Sequence, residues 1–152
     1  MADLLRWFAF LTLVMAAVAV TPSKAENTLL KDVGQVPVSV HQVMTGGHWS
    51  ADGAEGAYRA VVASVGSEHV KHQIYLQWLT LDAENGAYTV TRTTSVDEIN
   101  ADHGYVLDAH MEFTIEGQFR VHLRARARGA KADDNFIIVA KPAGGYTVTE
   151  VN

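Results

Sequence analysis

Residues 105–128 read YVLDAHMEFTIEGQFRVHLRARAR, and this stretch decides the fold. Tyr105, Leu107, Ala109, Met111, Phe113 and Ile115 fall on one face of an extended chain. Asp108, His110, Glu112 and Thr114 fall on the other. After Glu116-Gly117-Gln118, the apolar set is Phe119, Val121, Leu123, Ala125 and Ala127. Its polar counterpart is Arg120, His122, Arg124, Arg126 and Arg128. Alternation with a period of two is the mark of a strand with one buried face. Two such runs flanking a glycine predict a hairpin.

Matching the apolar faces sets an expected register. Ile115 is placed opposite Phe119 across a three-residue loop, Phe113 opposite Val121 and Met111 opposite Leu123. On the outer face this puts Thr114 by Arg120, Glu112 by His122, His110 by Arg124 and Asp108 by Arg126. Cross-strand pairs of opposite charge contribute only about 0.2–1 kcal/mol each, so a register-fixing ladder is the plain interpretation. The sharper one rests on the excess of arginine over carboxylate. An incompletely paired row of Arg120, Arg124, Arg126 and Arg128 is suited to a phosphate or carboxylate, which guanidinium grips with two donors. The expected partner is an anionic lipid, an acidic glycan or an acidic protein.

The same period recurs along the chain. Val38, Val40 and Val43 predict a first strand that changes face near Gln42. Thr45 to Trp49 and Ser50 to Gly53 carry turn chemistry. Ala57–Val65 and Val70–Leu81 read as strands, with Ile74, Leu76 and Trp78 sharing a face. Asn85-Gly86 signals a hairpin, but a two-residue loop would oppose an apolar face to a polar one, so a longer loop or a bulge is expected. Ser95 and Glu98 have the spacing of a reciprocal helix cap. Phe136–Ala140 and Tyr146–Val151 read as a closing hairpin. The expectation is an all-β chain, an antiparallel β-sandwich of about seven or eight strands, with a small β-barrel as the alternative.

The first 25 residues differ from the rest. Trp7–Val20 (WFAFLTLVMAAVAV) contains one polar residue, Thr12. It falls short of the roughly 20 apolar residues that span a bilayer. With Pro22 behind it and Ser23-Lys24-Ala25 offering small residues before a cut, it reads as a signal peptide over residues 1–25. A single domain, residues 26–152, follows, with no membrane span after cleavage. The chain has no cysteine, so the domain must hold by packing and hydrogen bonds. An exported domain without disulfides points to a bacterial periplasmic or secreted protein. The formal net charge is −5, and setting aside Asp3, Arg6 and Lys24 leaves −6, which argues against a nucleic-acid partner.

Other chemistry is thinly represented. Among seven histidines, His110 and His122 with Glu112 between them form a candidate divalent-metal set, crowded by arginine. His48 and Trp49 lie beside two glycines, where an exposed tryptophan would stack on a ligand and a buried one would cap the core. No nucleophile elbow, phosphate loop or paired zinc-ligand motif is present, which leaves a hydrolase with a site assembled in space as the enzymatic alternative. No cofactor is implied. An open sheet edge would permit self-association.

Overall fold

The computed structural model describes residues 36–82, 84–114 and 116–151. The expected signal peptide lies outside them, as does Ile115. Eight strands and one short helix follow in order: β1 (Val40–Ala51), β2 (Ala54–Val65), β3 (Lys71–Leu81), β4 (Tyr88–Ser95), α1 (Asp97–Asp102), β5 (His103–Phe113), β6 (Phe119–Ala127), β7 (Asp134–Ala140) and β8 (Tyr146–Val151). They form two four-stranded antiparallel sheets, β1-β2-β3-β4 and β5-β6-β7-β8. Each sheet is a meander in which every strand pairs with its neighbour in sequence. Their inner faces share one core. Met44, Tyr58, Ile74, Leu76 and Trp78 come from the first sheet, and Phe119, Val121, Leu123, Phe136 and Ile138 from the second. The arrangement is a sandwich of two separate ladders, not the closed barrel held as the alternative.

The turns follow local backbone chemistry. Asp52 and Gly53 both have positive φ, 53° and 77°, and join Ala51 to its partner Ala54 in a two-residue hairpin. Asp-Gly is the pairing such a turn requires. At Thr45–Trp49, by contrast, the expected turn is continuous strand. A bulge between Gly46 and Trp49 absorbs the glycines, and the space they leave is filled from the other sheet. A side chain at Gly46 would run into the Phe113 ring, and one at Gly47 would lie 3.1 Å from the Phe119 Cβ. A second bulge, between Val40 and Gln42, produces the expected change of face at the start of β1.

Leu81 pairs with Tyr88, so the Asn-Gly hairpin has the longer loop that the face pattern demanded. Asp82 organises it by accepting from the Glu84 N–H at 2.9 Å and from the Asn85 side chain at 2.5 Å. A bulge at Trp78/Leu79 then allows both of those residues to be buried.

Helix α1 departs from expectation. Its N-cap position is Val96, with no side-chain cap. Ser95 instead accepts from Asn100 Nδ2 at 2.9 Å, and Glu98 accepts from the Tyr146 hydroxyl at 2.7 Å. The reason is Asn100, the buried polar residue of the helix. Its Oδ1 accepts from Ile74 N–H at 2.7 Å and its Nδ2 donates to Ile74 C=O at 2.8 Å. Strand β4 ends where Ser95 meets Tyr75, and the amide of Asn100 takes over as the hydrogen-bonding partner of the next β3 residue.

Candidate functional site

The outer face of the second sheet is built on the β5–β6 hairpin. Its register differs by two residues from the expected one. Phe113 pairs with Phe119, Met111 with Val121 and Ala109 with Leu123. The connection is therefore Thr114–Gln118, closed by the Gly117 N–H donating to Thr114 C=O at 2.9 Å. The physical reason lies in the opposite sheet. Gly46 and Gly47 leave room for Phe113 and Phe119 side by side, and Tyr58 stacks on Phe119 with centroids 5.4 Å apart. A bulge between Val106 and Asp108 then reverses the face of the strand's first half. Val106 is buried, whereas Tyr105 and Leu107, expected inside, are exposed.

The outer face consequently forms rows across the sheet. Glu112, Arg120 and Val139 make one, His110, His122 and Ile137 the next, and Asp108, Arg124 and Asn135 the third. The four arginines fare differently. Arg120 faces Glu112 and donates to Gln118 at 3.0 Å, while its Nε is buried with no hydrogen-bond partner. Arg126 is neutralised by Asp133, with Nε and Nη2 at 2.6 and 2.5 Å from the same carboxylate oxygen. Arg124 is exposed, and no carboxylate of the described residues lies within ion-pair distance of it. It borders a groove of about 420 Å³ with Asp108, His110, His122, Ile137 and Val151. Arg128 lies beyond the end of β6 and lines a different cavity, described below.

His110, Glu112 and His122 do come together. His122 Nε2 lies 2.8 Å from Glu112 Oε2, and His110 Nδ1 lies 3.6 Å from Asp108 Oδ2. The hydrogen bond from His122 holds the Glu112 carboxyl below the usual carboxylate range, helped by the charges of His122, Arg120 and His110. The two imidazoles stack, with centroids 5.0 Å apart and planes within 6°. Ring nitrogens donate in the ring plane, so parallel rings direct their lone pairs side by side rather than to one point. Among the described residues, no group of three or more histidine or acidic side chains is placed to hold a metal ion.

His48 and Trp49 stand on β1 rather than on a loop. Trp49 is buried, and its Nε1–H donates to Ala57 C=O at 3.0 Å. The capping role holds, and the exposed stacking ring is corrected. His48 is exposed, 3.4 Å from Glu55. A histidine–carboxylate pair that the sequence did not suggest joins His103 Nε2 to Asp134 Oδ2 at 2.9 Å. A general base turns its other nitrogen toward a nucleophile. Here that nitrogen, Nδ1, is buried without a hydrogen-bond partner.

Asp133, Asp134 and Lys71 are the charged residues that sequence reasoning missed. The first two lie in or next to the connection after β6, where no periodicity points to a partner. Lys71 lies about 57 positions from Arg128 in sequence, and only the packing of the two sheets brings them to one cavity. No known protein-family model matches the chain, and no curated protein matches it either.

Proposed function

We propose that the chain is a non-catalytic, exported binding or assembly domain of the bacterial periplasm. Its recognition surface is the outer face of β5–β6 centred on Arg124, and its partner is anionic. The observation that carries this reading is an exposed guanidinium, without a carboxylate partner among the described residues, on the rim of a 420 Å³ groove. Two donors in one plane suit a carboxylate or phosphate oxygen pair. Ile137 and Val151 add an apolar wall, which suits a partner with an apolar portion beside its acid group.

The surrounding charge supports local rather than long-range attraction. Arg120, Arg124 and Arg126 are offset by Asp108, Glu112 and Asp133, so the surface attracts an anion only where Arg124 itself can reach it. Among the described residues no helix is long and apolar enough to cross a membrane.

The test is binding of the full chain to heparin and to vesicles containing phosphatidylglycerol, followed by sedimentation. Binding to at least one is expected, weakened tenfold or more by Arg124→Gln and reduced by added salt. Equal binding by the Arg124→Gln protein to both would sink the proposal.

A further inference from the structure

The outer face leaves Arg128 unused. This residue follows β6 and is exposed at the rim of a cavity of about 180 Å³. The wall opposite its strand is formed by the start of β3, and the remainder by the end of α1 and the start of β5. His69, Lys71, Asp102, His103 and Tyr105 are the other charged or titratable residues of its lining. No ion pair engages Lys71 or Arg128 among the described residues. His103 is held by Asp134, so that carboxylate is already occupied. One carboxylate, Asp102, therefore stands against the Lys71 ammonium and the Arg128 guanidinium.

We propose that this cavity is a second binding site, specific for a phosphate group, with Lys71 and Arg128 as its two cationic arms. Lys71 at the start of β3 and Arg128 after β6 line one concavity against the single carboxylate of Asp102, and this excess of positive charge is relieved by an anion seated between the two cations. A tetrahedral oxyanion offers oxygens in several directions and carries more than one negative charge near neutral pH, so it can engage both arms at once. A carboxylate presents two oxygens in one plane and a single charge, which satisfies one arm. The guanidinium supplies paired donors and the ammonium a rotatable point charge. Gly104 lines the same cavity beside Arg128. The site is independent of Arg124, so either can fail without the other.

The experiment is a titration of the full chain with inorganic phosphate, followed by amide NMR, with acetate in parallel. Saturable shifts are expected at residues 69–71 and 101–105 with phosphate, and at least tenfold weaker binding after Lys71→Gln with Arg128→Gln. Lys71→Arg with Arg128→Lys should restore it. Melting temperatures of the variants report whether the fold survives the changes. The proposal is overturned by a linear, unsaturated response to phosphate, by saturation with acetate at equal or lower concentration, or by shifts confined to the β5–β6 outer face. Undiminished phosphate binding in a folded glutamine double variant would also overturn it.

Discussion

At the scale of single residues, the groups with most at stake are polar atoms placed where water does not reach. Asn100 is 9% exposed and satisfies both backbone groups of Ile74, itself fully buried. Removing the amide leaves the Ile74 N–H without an acceptor in a dry setting, a loss of about 1–3 kcal/mol. Asn100→Ala is therefore expected to lower the urea midpoint by a corresponding amount and to speed hydrogen exchange at Ile74. An unchanged midpoint would mean that water reaches β3 there. Tyr58 makes the second case. Burial pushes its phenol up to about 12 from an ordinary value of 10.0. The neutral phenol is thus favoured in the fold. That contribution is fully present below pH 10 and is lost as pH rises through about 12. Ultraviolet titration of phenolate should show two late-ionising tyrosines among the five in the chain, Tyr58 near 12 and Tyr146, raised by burial and by its hydrogen bond to Glu98, and Tyr58→Phe should abolish the step near 12. A step near 12 that survives the substitution would assign it elsewhere.

Strands and turns carry a different lesson, about where local pattern suffices. Strand β6 was legible throughout because strict alternation has one solution: Phe119, Val121, Leu123 and Ala125 are all buried. The Asp52-Gly53 turn and the long Asn85-Gly86 loop were legible because backbone chemistry is local. Strand β5 was not, although its alternation is equally regular. A bulge at Val106/Asp108 is fixed by what the strand meets, and Gln42 Nε2 donating to Ala109 C=O at 2.8 Å belongs to that encounter. The Gly46-Gly47 pair misled for the same reason: its role is to receive two phenylalanines from 60 or more positions away. The candidate site inherited the error, since the two-residue shift of the hairpin and the bulge gave Arg120, Arg124 and Arg126 new partners. Comparing two glycines tests this reasoning. Gly53 has φ 77° with nothing near, so Gly53→Ala is expected to cost the backbone term alone, about 1–2 kcal/mol. Gly47→Ala carries the same backbone term at φ 66° and adds crowding against Phe119 and Tyr58. Urea denaturation should rank Gly47→Ala as clearly the more damaging. Equal losses would show that the phenylalanine contact relaxes freely.

For the whole molecule, the two sheets are joined by side chains that reach across to backbone atoms. Trp78 Nε1–H donates to Lys141 C=O at 3.0 Å, Arg92 lies 5.7 Å over the Trp78 ring and donates to Ala143 C=O at 3.3 Å, and Val106 N–H donates to His72 Nδ1 at 3.1 Å. Such a seam cannot form until both sheets exist. The connectivity then has a kinetic consequence. Every ladder joins strands adjacent in the chain, so loop closure is brief and strand pairing is an inexpensive early event. A lone four-stranded meander, however, exposes its apolar face, and only the meeting of the two sheets hides it. The slow step in reaching the native state is then the docking of two ribbons rather than the search for partners within them. Stopped-flow refolding should find φ-values near one for Gly53→Ala, whose hairpin turn is already formed when the sheets meet, and substantial values for core truncations such as Phe119→Leu at the sheet–sheet contact. A φ-value near zero at Phe119 would place the barrier at strand pairing, with docking following it, and one near zero at Gly53 would make the turns late.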